Sequence, residues 1–238
     1  MPTASTVMAE LKSKGTEKTR KIYAKHGMAP DRAFGVSVAD MKEIAKSIKA
    51  QQGLACELLD TGNLDAMYMA GMVADGRKLT PGQLTKFLEN AEGLQMVGEY
   101  TIPWLAVENP KGRELALQWI GSKKEHVAAA GWCTYSGIVT TQADSALDLE
   151  EIRGLLDRVV NEIGSAPNRA RHCMNNFVIA VGTYVAPLLG PAKEAAKQIG
   201  KVEVDMGETA CKVPDAFACI EKAEATGRVG KKRKTIRC

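Results

Sequence analysis

Residues 148–185 read DLEEIRGLLDRVVNEIGSAPNRARHCMNNFVIAVGTYV, and they contain two helical patterns separated by a short turn. The second begins near Pro167, a residue suited to the first turn of a helix because the N–H group that it lacks would have no partner there. The first is amphipathic, with six apolar residues at helical spacing: Ile152, Leu155, Leu156, Val159, Val160 and Ile163. This stretch therefore predicts two helices that each bury one face.

Similar segments recur along most of the chain. There are about a dozen, most of roughly 10–18 residues, and successive pairs recur at roughly 35–45 residues without a shared motif. Such degenerate pairs favour an all-α fold, an α-solenoid of HEAT-like helix pairs (an alpha-alpha superhelix). We predict that this domain occupies residues 1–227 and that a basic C-terminal tail follows at 228–238. A compact irregular bundle is the alternative, and residues 201–213 could be extended or looped.

Composition excludes several classes of protein. Apolar residues make up 45% of the 238 residues, which excludes a disordered body. The N-terminus lacks a signal segment, and no apolar stretch reaches membrane-spanning length. The six cysteines form no C-x-x-C pair and the three histidines lie far apart, so we expect no structural zinc site. No G-x-G-x-x-G, G-x-x-x-x-G-K or H-E-x-x-H motif occurs, and we expect neither a metal nor an organic cofactor. These features predict a reduced, cytoplasmic protein with no membrane partner.

The positive charge is concentrated at the C-terminus. The formal net charge is +4, but residues 228–238 contain six basic residues and no acidic ones, which leaves 26 basic and 28 acidic residues elsewhere. A basic segment of this kind favours a polyanionic partner. The alternative is a solvated tail without a partner. If the partner is DNA, the residues expected to contact phosphate are Lys231, Lys232, Arg233 and Lys234.

A polar strip opens the helix that follows Pro167. It contains two arginines, a histidine and three asparagines, and no carboxylate occurs between Ile163 and Lys193. The start of a helix favours an anion, arginine matches phosphate with a planar fork, and asparagine can donate to phosphate or to a base edge. The alternative is that these side chains bond to neighbouring helix ends and carboxylates. The candidate DNA-binding residues of this strip are Arg169, Arg171, His172, Asn175 and Asn176.

Two carboxylates are candidates for catalysis. Glu99 precedes Tyr100 and a segment that contains proline and Trp104, and a carboxylate among aromatic residues can act as a general acid or base or stabilise a developing cation. Asp65 lies one turn from Tyr68 at the start of a methionine-rich segment. The alternatives are a solvated surface carboxylate at Glu99 and a core helix around Asp65.

Several long phrases resemble the DNA alkylation repair family, the AlkD-like HEAT-repeat proteins, in a divergent bacterial branch. They include FGVSVADMKEIAKSIK at 34–49, GNLDAMYMAGMVAD at 62–75, EYTIPWLAVENPKGRELALQWIGS at 99–122 and the stretch 165–185. The resemblance covers nearly the whole chain. It implies a protein that binds double-stranded DNA. We expect the DNA to be alkylated or abasic, and the protein to be a nucleoid-associated monomer. The resemblance also implies excision of cationic N3- or N7-alkylated purines as a candidate activity.

The catalytic pattern of the family is incomplete in this sequence. The resemblance implies an aspartate flanked by tryptophans that touch the deoxyribose, and it aligns these positions with Glu99, Gln95 and Asn176. DNA binding therefore carries over better than excision. The leading prediction is a DNA-binding protein of alkylation repair that could act as a glycosylase. The alternatives are a catalytically silent nucleic-acid-binding protein and a protein–protein scaffold.

Overall fold

A computed structural model describes residues 2–237, and its regular structure in that range is entirely helical. The prediction of an all-α protein is confirmed. The α-helices are α1 Ala4–Lys14, α2 Glu17–Lys25, α3 Val38–Ser47, α4 Gln52–Leu59, α5 Leu64–Val73, α6 Pro81–Glu89, α7 Ile102–Glu108, α8 Gly112–Ile120, α9 Glu125–Thr141, α10 Leu149–Glu162, α11 Asn168–Tyr184, α12 Leu189–Ile199 and α13 Ala216–Ala225.

Local sequence signals set several helix starts. The Ser37 hydroxyl accepts the N–H of Asp40 at the start of α3, as its position before an apolar pattern predicts. Thr80 and Gln83 form a capping box at the start of α6, where Pro81 lies in the first turn. These caps satisfy N–H groups that lack partners within the helix.

The described residues separate into two compact units. The first contains residues 2–111, 206–210 and 237, and the second contains residues 112–205 and 211–236. In the first unit, α5 is buried along most of its length. Its Gly71 packs so tightly on Thr101 that an added Cβ would lie 2.2 Å from the threonine Cγ2. Thr101 ends a π-helical turn, Val97–Thr101, which leads directly into α7.

The second unit is built around α9 and α11. Their aromatic rings meet in its core: Trp132 and Tyr135 of α9 lie with ring centroids 5.2 and 5.8 Å from that of Phe177 on α11. At Gly131, an added Cβ would lie 2.5 Å from the backbone nitrogen of Ile120, so α8 and α9 approach closely. The first turns of α11 are thereby fixed on a rigid core.

Residues 201–215 contain no helix or strand, so the segment that the sequence left open is a loop. Among residues 2–237, no single helix is long and apolar enough to cross a membrane. Only the two stretches Asn168–Tyr184 and Ala186–Ile199 taken together reach the length and apolar composition of a membrane span within residues 2–237. The chain bends by 116° between them. The five cysteines in this range are thiols, and no group of three metal-ligating side chains occurs in it.

Candidate nucleic-acid interface

One face of α11 binds the loop that follows α12. Asn168 donates to the carbonyl of Asp205 at 2.8 Å and accepts the N–H of the same residue at 2.7 Å. One turn later, Arg171 donates to the carbonyls of Glu203, at 3.1 Å, and Ala166, at 2.9 Å. After a further turn, Asn175 donates to the carbonyl of Pro214 at 2.9 Å. Three polar residues at helical spacing thus hold an irregular backbone in place.

This arrangement accounts for much of the polar strip. A loop without regular structure leaves peptide groups that need partners, and side-chain amides and guanidinium groups supply them. The two terminal nitrogens of Arg171 and the side-chain amide nitrogen of Asn175 need no carboxylate, because peptide carbonyls accept from them. Contact of either side chain with DNA stays a prediction, and the observed contacts favour a role in positioning the loop.

The start of α11 is already occupied by an anionic group. The carboxylate of Glu125, from the first turn of α9, accepts the N–H of Arg169 at 2.6 Å. A negative charge at this position is stabilised by the unpaired N–H groups and by the helix dipole. The anion that a helix start favours is therefore supplied here by the protein itself.

His172 is neutral at physiological pH. Burial, with a smaller contribution from the charge of Arg169, lowers its pKa from the ordinary 6.5 to about 4. Its Nε2 lies 3.1 Å from the side-chain amide nitrogen of Asn176. As candidate DNA-binding residues, His172 and Asn176 can therefore offer only neutral hydrogen bonds.

The basic C-terminal segment, residues 228–234, follows a defined path over the second unit. Two glycines with left-handed backbone, Gly227 at φ 60° and Gly230 at φ 75°, turn the chain away from the end of α13. The N–H of Gly230 then donates to the carbonyl of Thr183 at 3.0 Å, and the N–H of Arg233 donates to that of Thr140 at 2.9 Å. The backbone is thus anchored on the ends of α11 and α9.

The basic residues of this region divide into two groups. Lys232 points inward, where it forms an ion pair with the carboxylate of Asp144 and donates to the carbonyl of Val139, each at 2.8 Å. Arg237, which belongs to the first unit, pairs there with Glu108 and donates to the carbonyls of Gly71 and Ala74. The four other basic side chains are exposed, and none forms an ion pair among residues 2–237: Arg228, Lys231, Arg233 and Lys234.

Asp65 is fully buried in the first unit and is surrounded by donors. Its carboxylate accepts the N–H groups of Phe34, Gly35 and Val36 at 2.6, 3.1 and 3.0 Å, and the hydroxyl of Tyr23 at 3.4 Å. Burial raises the pKa of Asp65, and the four hydrogen bonds oppose that rise. These contacts favour a structural role, in which the carboxylate holds the turn before α3.

Glu99 occupies the middle of the π-helical turn and is 7% exposed, whereas its neighbour Tyr100 is 50% exposed. Turns of this type are rare and occur often at functional sites, because they rotate one residue out of the helical register. Trp104, one turn later, is buried and packs against Tyr68, with ring centroids 5.4 Å apart and ring planes tilted by 60°. The catalytic assignment of Glu99 stays a prediction.

Residue patterns missed several members of this interface. Asn168 and Glu125 were not singled out, because their partners lie 37 and 44 positions away in sequence. Arg228 stood in the basic tail but was not selected, whereas Lys232 was selected although its side chain points inward, because nothing local distinguishes the exposed basic residues from the half-buried one. Alternation along an extended segment could have indicated that Lys231 and Arg233 share one side and Lys232 the other.

Fold and interface together define a class: an all-helical protein of packed helix pairs that presents an exposed basic segment. The sequence model of the family described as "DNA alkylation repair enzyme" matches residues 7–189. The chain belongs to this DNA alkylation repair enzyme family, and the resemblance inferred from its sequence phrases is confirmed.

Relatives support the assignment over the whole chain. Uncharacterized proteins of Listeria innocua and Listeria monocytogenes are each 33% identical over 220 residues, which is 90% of this chain and 94% of theirs. One solved structure is 36% identical, covers 100% of both chains and superposes with a TM-score of 0.89. It represents "a new family of proteins related to the HEAT-like repeat DNA glycosylases with affinity for branched DNA structures". This likeness confirms the predicted fold of HEAT-like helix pairs.

Proposed function

We propose that this protein binds duplex DNA through the exposed part of its basic C-terminal segment, with a preference for branched or alkylated duplexes, and that it serves alkylation repair. The observation that carries the proposal is the set of four exposed basic side chains without a carboxylate partner among residues 2–237: Arg228, Lys231, Arg233 and Lys234. Exposed cations without an internal partner neutralise phosphates at the smallest cost in free energy, because no internal ion pair has to break. The protein acts at the nucleoid, as a monomer.

The relative with known structure supports the branched form of the ligand. That protein belongs to a group with affinity for branched DNA structures, and it matches this chain over its full length. The phosphates of a junction are denser than those of a linear duplex, so a basic surface gains more from neutralising them. Phosphate contacts alone carry no sequence information, and we expect binding that follows DNA shape.

Binding to a four-way junction and to a linear duplex of the same sequence tests this function by fluorescence anisotropy. Replacing the four exposed basic residues with alanine should weaken junction binding by at least about tenfold at moderate salt. The matched control exchanges each arginine for lysine and each lysine for arginine at the same positions. It keeps every charge and should bind within a few-fold of the wild type. Equal affinities of the alanine variant and the wild type would contradict the proposal.

A second candidate function is excision of cationic alkylated purines, and the position of Glu99 favours it. The π-helical turn contains this carboxylate, which is 7% exposed, and its neighbour in sequence, Tyr100, is exposed. A cationic N3- or N7-alkylated purine is a good leaving group, so the protein would mainly have to stabilise positive charge on the sugar and position water. The family resemblance aligns Gln95 and Asn176 with tryptophans that touch the deoxyribose in active members, so neither position supplies an indole here.

Release of N7-methylguanine from a methylated duplex tests the excision function. We expect slow release by the wild type, none by Glu99→Gln and partial release by Glu99→Asp, since only the last retains a carboxylate. DNA affinity should stay unchanged in both variants. Release that persists in Glu99→Gln would exclude this residue as the catalytic group. Binding without release by the wild type would leave DNA recognition as the whole function.

A further inference from the structure

The second unit contains a cavity of about 680 Å³ between the ends of α11 and α13 and the basic segment. Four basic side chains from two different parts of the chain line it: Lys222 of α13, and Arg228, Lys231 and Arg233 of the segment. The lining also includes the hydroxyl-bearing residues Thr183 and Tyr184. None of the residues that line this cavity within 2–237 carries a carboxylate.

Three acidic residues that neighbour the lining residues or their segment form ion pairs outside the cavity lining: Glu221, Glu224 and Asp144. Lys193 holds both Glu221 and Glu224 of α13, at 2.7 and 2.8 Å. Lys232 lies between the two cavity residues Lys231 and Arg233 in sequence. It forms an ion pair with the carboxylate of Asp144 at 2.8 Å. Internal ion pairs thus remove the neighbouring carboxylates from competition, while the four basic groups of the cavity form no ion pair among residues 2–237.

Basic residues also gather at the C-terminal ends of helices, where they offset the helix dipole. Two such ends, those of α11 and α13, meet at this cavity. Each end contributes about half a negative charge, so both together contribute about one. Four full positive charges exceed this by about three. In addition, the N–H of Arg228 already bonds the carbonyl of Ala223, and that of Gly230 bonds the carbonyl of Thr183. Helix capping therefore does not account for the cluster.

We propose that this cavity is a phosphate-binding subsite that receives one phosphate group of a nucleic-acid strand, either at its end or within it. The assignment rests on the proposed DNA-binding function and adds Lys222, Thr183 and Tyr184 to it. Arginine forks match phosphate oxygens in pairs, lysines add point charges, and hydroxyl groups donate without charge. The volume exceeds that of a phosphate and lies in the range of small-ligand sites, so the attached sugar also has room.

A double variant, Lys231→Ala with Arg233→Ala, tests the subsite. Its matched control is Lys123→Ala with Arg153→Ala, which removes the same charges from exposed positions of the same unit. The first probe is inorganic phosphate, titrated against chloride at equal ionic strength and followed by amide NMR. In the wild type we expect saturable shifts at Thr183, Tyr184 and Gly230. The control should retain these shifts and the cavity variant should lose them.

The second probe separates the two sources of phosphate. Short single-stranded oligonucleotides with a 5′-phosphate or a 5′-hydroxyl are compared for binding to the wild type and both variants. The cavity variant should bind the phosphorylated strand about tenfold more weakly than the control does. A 5′-phosphate that strengthens wild-type binding assigns the subsite to a strand end. Equal affinities, both reduced in the cavity variant, assign it to an internal phosphodiester.

The proposal is overturned if phosphate shifts are absent or scattered in the wild type, or if the cavity variant and the control behave alike with both probes. These results are distinct from failure of the proposed function. Loss of phosphate shifts in the cavity variant, together with a wild type that binds neither junction nor duplex, would retain the subsite and reject the wider function. Junction binding that is equally strong in both double variants would reject the subsite and retain the wider function.

Discussion

At the residue scale, the first unit stabilises a buried carboxylate with peptide groups and not with a cation. Three consecutive N–H groups, from Phe34 to Val36, converge on Asp65. An extended turn has no regular pattern that would satisfy these donors, and burial keeps water from doing so. The carboxylate therefore serves as the acceptor that this turn needs.

Replacing Asp65 with alanine should lower the free energy of unfolding by about 3 kcal/mol or more, because it leaves several buried N–H groups without a partner. Urea denaturation measures the change. Asp31 is exposed, and Asp31→Ala should alter the same free energy by less than about 0.5 kcal/mol. A similarly small effect at Asp65 would argue against a structural role and reopen its assignment to catalysis.

His172 should make stability depend on pH. Its pKa is lowered from 6.5 to about 4 in the folded protein, so the unfolded chain binds more protons between these values. The contribution of His172 to the free energy of unfolding is complete above pH 6.5 and is lost as the pH falls towards 4. The total loss has an upper limit of about 3 kcal/mol. In His172→Gln, the difference in unfolding free energy between pH 7 and pH 4.5 should shrink accordingly. An unchanged difference would show that this histidine titrates normally.

At the scale of the element, α11 acts as a frame for the loop backbone at Glu203, Asp205 and Pro214. Its polar residues recur at three- and four-residue spacing, so they lie along one side of the helix. The opposite side carries Phe177 into the aromatic core of the second unit. A helix fixed on one face can hold an irregular segment on the other.

Substituting Asn168 with alanine removes both hydrogen bonds to the peptide groups of Asp205. We expect the Asp205 amide to exchange with deuterium at least about tenfold faster, because local opening costs less when its acceptor is gone. Asn161→Ala, at an exposed position on α10, is the control and should leave that rate unchanged. Unaltered exchange in Asn168→Ala would mean that other contacts hold the loop.

The π-helical turn depends on the absence of a side chain at Gly71. A methyl group there would overlap Thr101 at 2.2 Å, so Gly71→Ala should destabilise the first unit by about 1–3 kcal/mol. Adding Thr101→Ser removes the overlapping Cγ2 and should restore most of the loss. Thermal unfolding measures both effects. If the second substitution gives no recovery, the glycine is required for another reason.

At the scale of the whole molecule, the basic side chains near the C-terminus divide into those paired with carboxylates of the protein and those exposed to solvent. Lys232 and Arg237 pair with carboxylates of the protein, whereas four basic neighbours remain exposed. The small net charge of +4 therefore understates the local positive charge of the C-terminal segment. DNA binding driven by such a segment depends steeply on salt.

We expect the logarithm of the junction-binding constant to fall linearly with the logarithm of the salt concentration. The slope should decrease in magnitude by about 0.9 for each phosphate contact removed from the basic segment. Anisotropy titrations at several salt concentrations measure this slope. Lys123→Ala with Arg153→Ala should keep the wild-type slope. The same slope in the four-alanine variant would place the phosphate contacts elsewhere.

Local patterns predicted the elements of this structure well. Apolar residues at helical spacing identified α10, and Pro167 marked the start of α11. The candidate site was predicted less completely. A strip of donors on α11 was visible, but its loop partner was not, because hydrogen bonds between distant segments leave no local periodicity.

The sequence by itself determined that the chain is helical, which faces of its helices are apolar, and that positive charge gathers at one end. These properties depend on neighbours within about one turn, so spacing is enough to reveal them. Only the tertiary structure decided which polar groups form hydrogen bonds or ion pairs within the protein. It paired Arg171 with peptide carbonyls and Lys232 with Asp144, and it left Lys231 and Arg233 at a cavity. The partners of a side chain depend on which distant segments fold beside it, and those contacts exist only in three dimensions.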